Sequence, residues 1–448
     1  MNFANRVLGT FGTYVLTFVL TIPISIVIAR SLGPEGKGIF TLVMLIPALL
    51  VTLSNLGIGA SNNYYSASGK YKPSALVGNS FVLAGVIGVL ALVAFILFWR
   101  FSPFDLLAEV RPRYIYVALA VVPLYLLNSY LLGILSGKLK IKQINTVGIL
   151  NKLVNLLGVI VILLALKQGV LWLILLMIAI QVITSMLYVI ILRGVTRYSI
   201  SFDSKVFKST VGYGVKAQVA NTSSFLHFRV DQYMVGQFVG ITQLGYYSIA
   251  VGLAELLLFI PRVVNSILFP TIASSTKGYS DKLTTRLSRY TVLTSLIFCL
   301  VFAIGANIVI RAAYGQQFLP SVTPFLILLP GLFFVTLTIN LSTYISGIGR
   351  VIFNTYGSMG ALAVNIALNL VLIPRMGIAG AALATTISYS LESIYTTVVF
   401  LHLSKKSLSE TYIPKWQDLV YLWGLSVRYL KAGCEFINQR LVNLKRLR

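Results

Sequence analysis

Long runs of apolar residues, separated by short polar segments, make up most of this chain. A run of about 20 apolar residues is long enough for an α-helix to cross a bilayer. Residues 211–238 have a comparable length but contain polar and charged side chains. Eleven clearer runs fall at residues 9–30, 39–62, 76–99, 114–136, 144–166, 169–192, 243–268, 290–311, 322–347, 353–374 and 378–402. This pattern predicts an all-α integral membrane protein.

The distribution of basic residues predicts that residues 211–238 cross the membrane as a twelfth helix. With twelve spans and the N-terminus inside, the inner segments hold roughly twice as many Lys and Arg residues as the outer ones, which is the usual bias of membrane proteins. If residues 211–238 did not cross, the basic segment 277–289 would lie outside. The parity therefore predicts that both termini are cytoplasmic.

The composition supports a membrane location and argues against a nucleic-acid-binding protein. Of the 448 residues, 57% are hydrophobic and 10% are charged, and the mean hydropathy is +0.88. A chain with so few charges cannot cover a soluble surface, so we expect lipid to surround it. The net charge of +25 comes from residues that punctuate the apolar runs. We interpret them as topology determinants and expect no nucleic-acid partner.

Glycine and asparagine landmarks repeat between the two halves of the chain. Their spacing is 207 to 210 residues, in the pairs Gly33 and Gly240, Gly38 and Gly245, Gly169 and Gly377, and Asn155 and Asn365. Because six is an even number of crossings, two such repeats are parallel in the membrane, as in several transporters with a central cavity. We predict a six-helix lobe at residues 1–195, a second at 196–404, and a basic amphipathic cytoplasmic tail at 405–448.

Three segments resemble a known transporter family. They read ARSLGPEGKGIF at 29–40, RVDQYMVGQFVGITQLGYYSIA at 229–250, and LIPRMGIAGAALATTISYSLE at 372–392. They are similar to polysaccharide transporters, including O-antigen-type lipid-linked oligosaccharide flippases, of the multidrug/oligosaccharidyl-lipid/polysaccharide exporter superfamily. The resemblance implies a two-lobed, alternating-access protein of the bacterial cytoplasmic membrane. Its implied cargo is a glycan linked to undecaprenyl pyrophosphate, moved outward for cell-surface polysaccharide synthesis.

Cations in or near the spans are candidates for binding an anionic headgroup. On a helical wheel, Lys216, His227 and Asp231 share one stripe of the seventh span, whereas Arg229 lies on another. Lys216 has no acid three or four residues away, and Asp231 points to a different face from Arg229. We therefore expect uncompensated cations that attract phosphate. The alternative is that Arg229 forms an ion pair for packing.

Two further cations have an equally simple alternative. Arg30 ends the first span and Arg311 ends the ninth, and both are candidates for attracting the cargo at the outer mouth. A long basic side chain that extends to the interface would occupy the same positions without binding anything.

Acids and amides at membrane depth are the remaining candidates. Asp231, Glu255 and Glu392 are candidates for coupling transport to H⁺ or Na⁺, and no other cofactor is expected. Asn63 and Asn128 are candidates for recognising sugars, although Asn between membrane helices is more often packing.

Other functions stay open at this point. Another member of the superfamily, such as a lipid II flippase or a multidrug or cation antiporter, is the nearest alternative, followed by a membrane-embedded glycan polymerase or ligase. We predict that the protein is not an enzyme, because the outer loops are short and carry no paired carboxylates at a plausible site. The expected partners are the lipid-linked oligosaccharide, membrane lipids, a polysaccharide polymerase and glycosyltransferases.

Overall fold

The computed structural model describes residues 3–101, 109–197 and 200–418, and no strand occurs among them. Short stretches of 3₁₀- and π-helix connect several of the α-helices. The helices are α1 Phe3–Ser54, α2 Ile58–Ser68, α3 Pro73–Phe101, α4 Pro112–Leu119, α5 Val122–Gly137, α6 Ile141–Ile160, α7 Val170–Arg193, α8 Ser204–Val239, α9 Ile241–Ala254, α10 Phe259–Ser274, α11 Lys277–Tyr314, α12 Val322–Gly347, α13 Ile352–Ser404 and α14 Leu408–Tyr412. The fold is all-α, as the pattern of apolar runs predicts.

The two longest helices, α1 and α13, each consist of two helices joined at a kink. Gly33 in α1 has φ 68° and ψ −177°, and Gly377 in α13 has φ 60° and ψ −137°. A side chain is disfavoured at positive φ, which is why glycine occupies both positions. A straight helix of 53 residues would be about 80 Å long, far more than a bilayer core of about 30 Å.

Within the described residues, nine helices are long and apolar enough to cross a membrane, and α1 and α13 are among them. The 36-residue helix α8 is not one of the nine, because its sequence is too polar. It is nevertheless one uninterrupted helix over the segment where polarity makes the sequence ambiguous. The protein is a multi-pass membrane protein, and the number of twelve crossings stays a prediction.

Two close backbone contacts between α1 and α9 are reciprocal. A Cβ atom added to Gly38 would lie 1.9 Å from the Ile241 carbonyl oxygen, and one added to Gly245 would lie 2.0 Å from the Pro34 carbonyl oxygen. Gly38 and Gly245 differ by 207 in number, and so do Pro34 and Ile241. Such reciprocity is expected of two related halves that meet about a two-fold axis.

A pair of polar contacts repeats in the same way. Asn55 donates to the Ser129 hydroxyl at 3.0 Å, and Asn265 donates to the Ile339 carbonyl at 3.2 Å. Both members of the pair shift by 210 residues. The repeat in the sequence thus corresponds to repeated contacts, while the exact lobe boundaries at residues 195 and 404 stay predictions.

Several contacts close the end of the bundle that carries Gly33, which we call the Gly33 end. The Arg30 guanidinium donates to the Ala313 and Ala312 carbonyls at 2.8 and 2.5 Å. The Ser25 and Tyr314 hydroxyls are 3.4 Å apart. These contacts join α1 to the C-terminal end of α11, so the two predicted lobes meet at this end.

The first residues of the tail pack against α11. The Arg289 guanidinium donates to the Asp418 carboxylate, with Nε–Oδ2 at 2.6 Å, and to the Glu410 carbonyl at 2.7 Å. Ser407 and Glu410 form a capping box at the start of α14. Most of the predicted amphipathic tail, residues 419–448, lies outside the described residues.

Candidate functional site

The polar residues of α8 lie on two faces of the helix. Ser223, His227 and Asp231 are buried, and the last two contact α13. On the other face, Gln218 donates to the Thr52 carbonyl of α1 at 2.5 Å. The helical spacing of the sequence predicts this separation, because residues three or four apart share a face.

His227 is held by two side chains of α13. Its Nδ1 atom lies 3.2 Å from the Glu392 carboxylate, and its Nε2 atom lies 3.1 Å from the Ser388 hydroxyl. The edge of the Tyr389 ring packs against the imidazole, with the ring centroids 4.8 Å apart. His227 is only 1% exposed, so it is a buried member of a polar network and does not reach either of the cavities described below.

Asp231 accepts hydrogen bonds on both carboxylate oxygens. The Tyr247 hydroxyl donates to Oδ2 at 2.6 Å and the Thr385 hydroxyl donates to it at 3.0 Å. The Gln232 backbone N–H donates to Oδ1 at 2.7 Å. Three donors therefore converge on one buried carboxyl group.

Asn365 links the surroundings of Asp231 to those of His227. Its amide donates to the Thr385 hydroxyl at 3.3 Å and to the Ser388 hydroxyl at 3.1 Å, and it accepts from Asn369 at 2.9 Å. The two α8 residues therefore belong to one hydrogen-bonded network between α8 and α13.

Arg229 forms an ion pair, and the expectation that it lacks an acidic partner is wrong. Its Nη1 and Nη2 atoms donate to the two Glu255 oxygens at 2.5 and 3.2 Å. Glu255 follows α9, 26 residues further along the chain. The sequence argument considered neighbours on the same helix, whereas this partner comes from the next one. Glu255 therefore compensates Arg229.

The Arg229–Glu255 pair lines a cavity of about 260 Å³ between α1, α8 and α9, which we call the charged cavity. Lys37 of α1 also lines it, so the lining holds two cations and one acid. The Thr41 hydroxyl also lines it and has no hydrogen-bond partner among the described residues. The lining is thus positive overall and has an unused polar group.

A second cavity, of about 480 Å³, lies between α1, α2, α5 and α8, and we call it the amide cavity. Its lining contains no charged side chain. It consists of Val51, Thr52, Asn55, Gly57, Gly59, Ala60, Asn63, Ser129, Leu132, Gly133, Ser136, Gln218, Asn221 and Phe225. Helix α8 lines both cavities. Its residues Asn221 and Arg229 are about 12 Å apart along the helix axis at 1.5 Å per residue.

The other predicted site residues fall into different environments. Asn63 lines the amide cavity. Asn128 does not, because its side chain binds Gln181 and Ser185 at 2.8 Å each, which is the packing alternative. Arg30 caps α11 as described above. Lys216 and Arg311 are exposed, and neither has an ion-pair partner among the described residues.

The sequence argument missed Lys37, Asn221 and Phe225 as cavity-lining residues. Lys37 follows the first apolar run, in a segment that the charge distribution places outside, and Asn221 lies within the polar segment 211–238. Asn221 and Phe225 are one helical turn apart on α8, so a helical wheel drawn for that face would have grouped them.

Comparison with known proteins identifies the family. Residues 27–323 match the family described as Polysaccharide biosynthesis protein. An uncharacterized membrane protein, MJ1068 of Methanocaldococcus jannaschii, is 24% identical over 229 residues, which is 50% of this chain and 44% of that protein. The alignment thus spans less than half the length of this relative.

Solved structures of transporters share the fold. An inward-facing multidrug resistance MATE family transporter of the MOP superfamily has a TM-score of 0.70 at 14% identity, covering 87% of this chain and 96% of that chain. An outward-facing MATE family transporter of the same superfamily has a TM-score of 0.62 at 15% identity, covering 90% and 97%. Its all-helical fold is similar to that of these transporters, and because the family model matches well over half of its length, this chain belongs to the polysaccharide biosynthesis protein family.

Proposed function

We propose that this protein is a flippase that carries a lipid-linked oligosaccharide across the bacterial cytoplasmic membrane by alternating access. The observation that carries the proposal is the pair of cavities along α8, one charged and one lined by uncharged polar groups. A glycan joined to undecaprenyl pyrophosphate offers both chemistries in one molecule. Membership of a polysaccharide biosynthesis family supports such a cargo.

The charged cavity suits the phosphate part of the cargo. Arg presents a planar fork of donors to phosphate oxygens, and Lys adds a point charge. In this structure Glu255 occupies the Arg229 fork. An arriving phosphate would compete for that fork and draw on Lys37 from the facing helix. Binding would therefore involve both predicted lobes, as an alternating-access carrier requires.

The closed Gly33 end suits an inward-facing state. The distribution of basic residues predicts that Gly33 lies at the outer side of the membrane. The TM-score is higher for the inward-facing transporter, 0.70, than for the outward-facing one, 0.62. In this proposal the contacts at Gly38, Gly245 and Arg30 seal the outer side and break when the carrier turns outward.

The buried network of α8 and α13 is the proposed coupling site. The 3.2 Å contact between His227 and Glu392 and the oxygen-rich surroundings of Asp231 bring together groups suited to binding H⁺ or Na⁺. No other cofactor is proposed. The proposed partners are membrane lipids, the glycosyltransferases that build the cargo and the polymerase that consumes it.

Export of the cell-surface glycan by variants of the charged cavity tests this function. We expect Arg229→Ala to abolish most export, Arg229→Lys to retain part of it, and Lys37→Ala to weaken it. Lys282→Ala, an exposed cation outside both cavities, is the control. Protein levels in the membrane are measured for each variant. Normal export by all three variants of the charged cavity at normal protein levels would refute the proposal.

A further inference from the structure

The amide cavity contains two side-chain amides that are committed to the protein and two that are free. Asn55 donates to Ser129 at 3.0 Å, and Gln218 donates to the Thr52 carbonyl at 2.5 Å. Asn63 and Asn221 are exposed, and their side-chain amides make no hydrogen bond to another described residue. The first two hold the walls together, and the other two are available to a ligand.

We propose that the amide cavity binds an uncharged sugar ring of the cargo through Asn63, Asn221 and the ring of Phe225. The inference rests on the proposed function, which supplies a glycan as cargo. Asn63 comes from α2 and Asn221 from α8, so a ligand held by both joins the two predicted lobes.

The chemistry of the free groups matches a sugar. A side-chain amide offers two donors and one acceptor, and a sugar hydroxyl can serve as either partner. Phe225 lies one turn after Asn221 on α8 and lines the same cavity. Its ring makes no contact with another described aromatic ring, which leaves an apolar face for the C–H side of a pyranose.

The walls favour a neutral ligand in a preformed site. No Lys, Arg, Asp or Glu side chain lines the cavity, so a carboxylate-bearing sugar would lose its hydration without gaining a cation. A Cβ atom on Gly133 would lie 2.1 Å from the Gly59 carbonyl oxygen, so the α2–α5 wall is tightly packed backbone. The volume of about 480 Å³ falls within the ordinary range of small-molecule sites.

Ligand-observed NMR tests the site without requiring transport. The full-length protein is placed in lipid nanodiscs, and saturation transfer is measured to methyl β-glucopyranoside, methyl N-acetyl-β-glucosaminide and glucuronate. We expect saturable transfer to one or both of the neutral sugars and little to glucuronate. Asn63→Leu and Asn221→Leu should each weaken binding about 5-fold, the effect of one lost hydrogen bond.

Asn307→Leu is the matched control, because Asn307 is also exposed on a helix, makes no hydrogen bond to a described residue and lies outside the cavity. Thermal unfolding of every variant checks its folding. Transfer that is absent, confined to glucuronate, or unchanged in the Asn63→Leu/Asn221→Leu double variant overturns the inference. If the protein binds the neutral sugar but exports no lipid-linked glycan, the sugar site is supported and the proposed function is refuted. If it exports the glycan but binds no neutral sugar, the proposed function is supported and the sugar site is refuted.

Discussion

Arg229 and Glu255 form a bidentate ion pair that joins α8 to the segment after α9, with nitrogen–oxygen distances of 2.5 and 3.2 Å. Their side chains are 29% and 20% exposed. Because each residue compensates the charge of the other, the pair lowers the cost of placing a strongly polar helix in the membrane. The same pair lines the charged cavity, so the Arg229 guanidinium has both a structural role and the proposed binding role.

A double-mutant cycle separates these two roles. We expect Arg229→Gln and Glu255→Gln each to cost about 1–3 kcal/mol of stability, because each leaves a partly buried charge unpaired. The double variant should lose less than the sum, since no charge then remains. Export should nevertheless stay low in the double variant, because the cation is gone. Thermal unfolding and glycan export measure the two effects, and normal export by the double variant would contradict a binding role for Arg229.

Asp231 should be required for coupling rather than for folding. Asp231→Asn replaces one carboxyl oxygen by an NH2 group, which at the Oδ2 position would face both the Tyr247 and the Thr385 hydroxyls. We expect export driven by an imposed Na⁺ or H⁺ gradient to fall at least tenfold, with protein levels near those of the wild type. Tyr247→Phe removes one donor only and should lose less. Gradient-driven export by Asp231→Asn at the wild-type rate would remove the network from the coupling mechanism.

The sequence predicted the membrane class and the two polar faces of α8, because both depend on local composition and helical spacing. It could not predict which polar side chains are already used. Asn63 and Asn128 look equivalent in the sequence, yet Asn128 binds Gln181 and Ser185 while Asn63 lines a cavity. That difference depends on helices far apart in the chain.

The spacing of glycines in the sequence indicates related positions but does not by itself predict the kinks. Gly33 and Gly240 were paired by spacing alone, and the structure gives both a positive φ, 68° and 96°. The pair Gly169 and Gly377 behaves differently, because Gly377 has φ 60° whereas Gly169 has φ −100°. Shared spacing therefore indicates a shared position in the fold but does not determine the backbone conformation there.

The reciprocal contacts at the Gly33 end should not tolerate a methyl group. In Gly38→Ala and Gly245→Ala the new Cβ would lie about 2 Å from a carbonyl oxygen of the facing helix. We expect each variant to lose about 1–3 kcal/mol through overpacking, and export should fall because this end can no longer close. Gly360→Ala is the control, since a Cβ there meets nothing within 4 Å. Wild-type melting temperatures for both variants would show that the contact is not required.

The predicted topology can be tested by cysteine labelling in a background without Cys299 and Cys434. A cysteine at Lys282, which is exposed near the start of α11, should react with an impermeant maleimide only in inside-out vesicles. A cysteine at Lys167, in a predicted outer segment, should react only in intact spheroplasts. The reason is the preference of basic segments for the cytoplasmic side. Labelling of Lys282→Cys from the outside would refute the prediction that the basic segment 277–289 lies on the cytoplasmic side.

The contact of the tail with α11 should depend on the ionisation of Asp418. Burial alone would raise the pKa of this carboxyl, but hydrogen bonds from Arg289 and the Lys415 backbone N–H, with the charges of Arg289 and Arg286, outweigh burial and lower it. A folded-state pKa below the ordinary value of about 3.9 means that the carboxylate stabilises the fold above that pH. The stabilisation is lost as the pH falls through the folded-state value.

We therefore expect Asp418→Asn to lower stability by about 1–3 kcal/mol at pH 7, the cost of leaving the Arg289 guanidinium without its carboxylate acceptor. The difference from the wild type should stay constant between about pH 8 and 5 and should shrink below about pH 4, as the wild-type carboxyl becomes protonated. Thermal unfolding of the purified protein over this range measures it. A difference that has already vanished near pH 6, or that persists unchanged at pH 3, would show that the ion pair with Arg289 does not hold the tail.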